Sequence, residues 1–193
     1  MRVLVIYAHP VETSFNAAMH KCVVESLLEA GHEVDDCDLY AEGFDAVLSR
    51  EERLNYHDIE INQRPVASYV ERVMNAEAVV MVHPIWNFGL PAILKGFMDR
   101  VYLPGVSFHL QDGKLSPGLT HINKLACVVT YGATRFRAMV LGDPPRKIAT
   151  RMMRAMIKPG APVWYLAQYD MNNVTPTQLE THMQKVRDKM SKF

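Results

Sequence analysis

Hydrophobic and polar positions follow two rhythms along the chain. Continuous apolar runs rich in β-branched residues mark buried parallel strands at Val3 to Ala8, Ala78 to Val82, Lys124 to Thr130 and Val163 to Gln168. Glu33 to Tyr40 predicts one more strand. Between these runs, apolar residues recur at steps of three and four, as on a helix with one buried face. Phe15, Met19, Cys22, Val23, Ser26 and Ala30 trace such a face, opened by Ser14 as N-cap and stopped by Gly31. Val66 to Asn75 predicts a second helix. Leu90, Ile93, Leu94, Phe97, Met98, Val101 and Tyr102 predict a third, with Pro91 in its first turn. Asp143 and Pro144 predict the start of a fourth, with Asp143 as its cap, Ile148, Met152 and Met156 on one face, and Pro159-Gly160 at its end. The capping box Thr175-Pro176-Thr177-Gln178 opens the last helix, which carries Leu179, Met183, Val186 and Met190. Residues 41 to 65 are mixed, with a short helix near Arg50 to Ile59. Leu110 to Asn123 is expected to be a long loop.

Five strands alternating with helices predict an α/β fold on a doubly wound parallel sheet. No repeat or linker interrupts the pattern, so one domain is expected over residues 1–193. In the strand order 2-1-3-4-5, the turns after strands one, three and four meet above the switch point, where such sheets bind ligands. The stretch from Ala78 to Phe108 supplies the middle turn. Its apolar run breaks at His83-Pro84, shows Trp86, Asn87 and Phe88, and enters the third helix after Gly89-Leu90-Pro91. Flat apolar groups with few charges suit a planar aromatic ligand, or else cap the core or a subunit interface.

The first turn, His9 to Asn16, ends at a helix N-terminus. Its free N–H groups and the Thr13 and Ser14 hydroxyls suit a phosphate; an ordinary Ser-capped helix is the alternative. His9 is expected to hydrogen-bond within the turn rather than catalyse. The absence of a GxGxxG motif and of a Walker lysine counts against dinucleotide-fold and nucleotide-hydrolysing classes. The third turn, Thr130 to Arg137, offers small residues and backbone donors able to stabilise charge on a reduced isoalloxazine ring. Tyr131 and Asn87 are the two candidate catalytic residues, Tyr131 as a proton donor or, alternatively, a packing residue. Arg135 and Arg137 either attract a nicotinamide phosphate or stand solvated.

Composition narrows the partners. Lys+Arg and Asp+Glu are both 21, which excludes the basic surplus of a nucleic-acid binder. It also counts against the strongly acidic one-electron flavin carriers. Hydrophobic residues make up 49%, enough for a continuous core. The three cysteines lie in apolar contexts without pairing or metal spacing, and the histidines are scattered, so no metal is assigned. No apolar run approaches the ~18 residues that cross a bilayer. The N-terminal apolar stretch is too short for a signal peptide and ends in His-Pro, so a cytoplasmic protein without membrane insertion is expected.

Three motifs carry a family resemblance: Tyr7-Ala8-His9-Pro10 with Thr13-Ser14-Phe15-Asn16, Asp38-Leu39-Tyr40, and His83-Pro84-Ile85-Trp86 through Pro91 to Val101. Together they resemble the flavodoxin-like NAD(P)H:quinone reductases. The resemblance implies a five-stranded flavodoxin-like sheet, a bound FMN or FAD, NAD(P)H as co-substrate, a quinone-like acceptor and a homodimer with substrates at the subunit junction. By position, it places His9, Thr13, Ser14, Phe15 and Asn16 at the phosphate side. Pro84, Ile85, Trp86, Asn87 and Phe88 fall along the ring, and Thr130, Tyr131, Gly132 and Ala133 at its pyrimidine end. Some members act as ancillary subunits of a membrane transporter, which is the alternative role. Trp86-Asn87-Phe88 is closer to the aromatic loop of flavin azoreductases, and Tyr131-Gly132-Ala133-Thr134 replaces the glycine-rich loop of the animal enzymes.

Overall fold

A computed structural model describes residues 1–193. β1 (Arg2–Tyr7) enters the core at once. Val3 and Val5 face one side of the sheet, Leu4 and Ile6 the other, and none of the four is exposed. α1 (Phe15–Glu29) starts where Ser14 Oγ accepts from the Ala17 N–H. It ends before Gly31, whose φ of +80° only glycine adopts without strain. β2 (Glu33–Asp38) stops two residues before the predicted end. There the Asp38 carboxylate accepts from the N–H groups of Tyr40 and Ala41 and turns the chain. α2 (Arg50–Leu54) ends short of Ile59, and α3 (Ala67–Asn75) follows a 3-10 turn over Arg64–Val66.

β3 (Ala78–Ile85) is buried at every position and runs through His83-Pro84 instead of breaking there. The Val82 carbonyl accepts from the Ala8 N–H, so the backbone of Val82 points toward β1. Pro84, two residues on, points the same way, past the end of β1, where its missing N–H costs no ladder bond. α4 (Ala92–Val101) has Pro91 as its cap rather than in its first turn. Residues expected to form a long loop contain a hairpin, β4 (Phe108–Gln111) with β5 (Lys114–Pro117). It turns on Asp112 and Gly113 at φ +51° and +73°. β6 (Lys124–Tyr131) leads to α5 (Arg135–Val140), a short helix the pattern did not predict. α6 (Pro144–Lys147) continues through a π-helical stretch, Ile148–Met153, into α7 (Arg154–Met156). β7 (Val163–Gln168) and α8 (Pro176–Met190) complete the chain, and α8 opens on the predicted capping box.

The main sheet has the order β2-β1-β3-β6-β7, all parallel. Setting the hairpin aside, this is the predicted 2-1-3-4-5. α1 and α8 cover one face; α3, α4 and the π-helical stretch cover the other. The segment between β2 and α2 lies across α4. Arg100 of α4 is buried, meets Glu52 at 2.7 Å and donates to the Asp45 carbonyl. Gly96 is the point of closest approach. A Cβ there would stand 2.2 Å from the Ala46 carbonyl oxygen.

Gly96→Ala therefore reverses the usual sign of a helix substitution. Helix propensity favours alanine by about 1 kcal/mol, but overpacking against backbone costs about 1–3 kcal/mol. The thermal midpoint of the variant should fall; a rise would show that the crossing segment gives way freely.

Candidate functional site

β1, β3 and β6 are neighbours running the same way, so their carboxyl ends deliver three turns to one edge of the sheet. The rings of His9 and Trp86 stand 5.7 Å apart. Asn16 Nδ2 donates to Thr130 Oγ1 at 2.8 Å, joining the start of α1 to the end of β6. Phe88 lines the same cavity as Gly132 and Ala133.

In the first turn, His9 Nδ1 stands 3.0 Å from the Val11 nitrogen and 3.2 Å from the Val11 carbonyl oxygen, which ties the ring to the turn. Burial holds this imidazole below its ordinary value, so it is neutral at pH 7. Phe15 turns its ring into the core against His182, 6.4 Å between centroids, and can give the site only its backbone. The N–H groups of Phe15 and Asn16 have no partner in the chain. Thr13 is exposed beside them. Asn16 is 5% exposed, yet its Oδ1 accepts nothing. An open buried acceptor next to free helix N–H groups fits a ligand that carries both hydroxyls and an anionic group.

The second turn is Trp86 to Gly89, closed by the Gly89 N–H on the Trp86 carbonyl at 2.9 Å. Asn87 and Phe88 sit at φ +50° and +54°, the two left-handed centres of a type I′ turn. Glycine usually fills the second centre; a phenylalanine there costs on the order of 1–3 kcal/mol. This backbone places Phe88 half-buried against the third turn, where its packing offsets the strain, while Trp86 and Asn87 stay exposed. Pro84 and Ile85, expected in this turn, are instead buried residues of β3, because the strand continues to Ile85.

In the third turn, the carbonyls of Tyr131 and Ala133 accept from the N–H groups of Met171 and Asp170, both at 3.0 Å, and that of Gly132 from Asn172 Nδ2 at 3.4 Å. A trans peptide points its N–H opposite its carbonyl. The N–H groups of Gly132, Ala133 and Thr134 therefore point away from residues 170–172, and none has a partner in the chain. Three such donors in a row suit a ligand edge on which negative charge develops.

Tyr131 does not face this turn. Its ring is 1% exposed and stacks on Tyr169 at 4.6 Å; its hydroxyl lies 2.7 Å from Asp143 Oδ1 and 2.5 Å from the Tyr165 hydroxyl. Burial first, then Asp143, raises its pKa far above the ordinary phenol value. The packing reading of Tyr131 replaces the proton-donor one. Asp143 likewise makes no helix-cap bond. It is left-handed at φ +46°, its carboxylate engaged by Tyr131.

Two parts of the site escaped the sequence reading. Residues 170–172 orient the third turn, and α5 walls a cavity of about 510 Å³ with Phe136, Val140 and Leu141. Thr134, whose Oγ1 accepts from the Arg137 N–H, was the readable signal for α5.

A family model described as flavodoxin-like fold matches residues 1–189. The chain belongs to this flavodoxin-like family. The family resemblance carried by the three sequence motifs is thus borne out. The member is 35% identical over 123 residues to NAD(P)H dehydrogenase (quinone) 1 of Rattus norvegicus, covering 55% of this chain and 45% of the rat protein. It is also 35% identical over 151 residues to ribosyldihydronicotinamide dehydrogenase (quinone) of Homo sapiens, 69% of this chain and 64% of the human one. The chain spans about half the length of the first curated relatives it matches. Among solved structures, a Streptococcus mutans protein superposes with a TM-score of 0.87 at 26% identity, covering 100% of both chains.

Phe88→Gly separates strain from binding. Relieving the left-handed phenylalanine gains about 1 kcal/mol, but losing its half-buried contact with the core costs a similar amount, so the urea midpoint should move little while the cavity loses an aromatic wall. Two histidines beside the site set its acid limit. Burial lowers His83 and His182 from 6.5 to about 4. Between these values the unfolded chain holds protons that the folded chain rejects, so stability is full above pH 6.5 and declines as pH falls toward 4. The loss is on the order of 3 kcal/mol per histidine. Urea midpoints measured from pH 7 to pH 4.5 should show this decline, and His182→Phe should flatten it.

Proposed function

We propose that the chain is a flavin-dependent NAD(P)H oxidoreductase, one domain over residues 1–193, that reduces a quinone or a similar flat acceptor. The observation that carries this reading is the row of unpaired N–H donors at Gly132, Ala133 and Thr134 beside an aromatic turn strained at Asn87 and Phe88. The relatives named as quinone dehydrogenases support the reaction class.

In this reading, FMN or FAD is held at its phosphate by the Phe15 and Asn16 N–H groups, the Thr13 and Ser14 hydroxyls and His9 Nε2. Asn16 Oδ1 would accept from a hydroxyl of the flavin's sugar chain, and Thr130 keeps that amide in place through the 2.8 Å bond. Trp86, Asn87 and Phe88 would lie against the ring, and the third turn would donate to its pyrimidine edge. A bound flavin would supply two-electron chemistry between NAD(P)H and a quinone, with the two substrates expected to bind in ping-pong order. Asn87 offers its amide to the reacting face and is the proposed catalytic contact. Tyr131 is not, since its hydroxyl is committed inside the protein. His9 Nε2 next to the phosphate would donate a hydrogen bond to it. The exposed Met139, Met152 and Leu115 supply apolar surface for the proposed homodimer.

Purified protein is expected to be yellow or to take up FMN or FAD, and to oxidise NAD(P)H when a quinone is added. Asn16→Ala should weaken flavin binding about tenfold, by the loss of one buried acceptor, as read by quenching of flavin fluorescence. A correctly folded protein that gains no flavin absorbance from either nucleotide rules the proposal out.

A further inference from the structure

The cavity beside the third turn has mostly apolar walls, one polar amide at Asn172 and a single charge. Phe136, Val140 and Leu141 line it and are 69%, 66% and 56% exposed, so its apolar surface is uncovered. Phe88 completes the aromatic side. Arg137 is the one charged residue in the lining. Its backbone N–H is bonded to Thr134, but its guanidinium enters none of the chain's ion pairs or side-chain hydrogen bonds. Arg72 and Arg100, by contrast, are each held by carboxylates at 2.7 Å. No carboxylate lines the cavity; the nearby Asp143 is engaged by Tyr131. Apolar walls bind a flat ring without regard to its charge. An unpaired guanidinium beside them adds selection, because its planar donors pair with an anionic oxygen on that ring.

We propose that this cavity selects flat aromatic acceptors that carry an anionic substituent, and that Arg137 sets the preference. The term acceptor rests on the flavin-reductase reading; the binding preference does not. Arg137 is exposed, so the preference is moderate and sensitive to salt.

The test is equilibrium binding to the flavin-treated full chain without NAD(P)H, followed by quenching of tryptophan emission. 2-Hydroxy-1,4-naphthoquinone, an enolate at neutral pH, is compared with neutral 2-methyl-1,4-naphthoquinone. The anion should bind about fivefold more tightly at low salt, and the advantage should shrink as salt rises. Arg137→Gln should abolish it at unchanged flavin content, and Arg137→Lys should restore much of it. Equal affinity for the two quinones, a preference that survives Arg137→Gln, or a variant that loses only NAD(P)H affinity overturns the proposal. Anion preference in a chain that takes up no flavin sinks the flavin reading and leaves the Arg137 site standing. A flavin-loaded, NAD(P)H-oxidising chain without the preference does the reverse.

Discussion

A strand paired in parallel on both edges and packed on both faces must be almost entirely apolar, and it can be joined to its neighbour only by a crossover. β1, β3 and β6 meet that condition, and their register has a direct consequence. β1 ends at Tyr7, opposite Val82, whereas β3 and β6 run on together to Ile85 and Tyr131. Three further residues of strand lift the second and third turns roughly 10 Å above the first. The helix N-terminus after β1 therefore lies low, and the aromatic turn and the donor row lie high. A step of this kind accommodates an elongated molecule with an anionic tail and a flat head.

The polar part of the site is made almost entirely by the backbone, and each donor is open because its neighbouring carbonyl is taken. At the start of α1 the first N–H groups lack partners by helix geometry. In the third turn the same condition is imposed from outside, by residues 170–172 binding the three carbonyls from Tyr131 to Ala133. Asp170 adopts φ +59° in doing so. Left-handed residues recur around the site at Asn87, Phe88, Asp143 and Asp170. At Phe88 and Asp143, a visible contact offsets the strain: the wall shared with Gly132 and Ala133, and the bond to Tyr131.

The sheet order, the caps of α1 and α8 and the three converging turns were legible because each depends on local signals: apolar runs, Ser or Thr at a helix start, glycine at an end. The end of β3 was not, since a proline reads as a break unless it is known that β1 has already stopped beside it. Tyr131 was legible in part. Leu125, Cys127, Val129 and Tyr131 alternate onto one core face of β6, so strand parity alone points the phenol inward. Its partner Asp143 was hidden, because Asp-Pro is a strong helix-start signal and the competing bond is tertiary. The β4–β5 hairpin had a readable Asp112-Gly113 turn. Its strands, however, are nearly all exposed and lack the alternation that marks a half-buried ribbon. The residues 170–172 that orient the third turn carry no signal beyond a polar gap before α8.

The buried hydroxyl chain explains how these separate pieces stay in one geometry. Asp143 can only accept, so Tyr131 donates to it, and Tyr165 in turn donates to Tyr131. The chain runs from β7 through the last residue of β6 to the segment that follows α5. It fastens the wall of the cavity to the strand that carries the donor row, while residues 170–172 fasten the same row to the end of β7. Both ties meet at Tyr131, through its hydroxyl and its carbonyl. A residue that looked like a proton donor thus acts as the joint that sets the distance between backbone donors and apolar wall, and its buried, un-ionised phenol suits that task better than acid–base work at the surface.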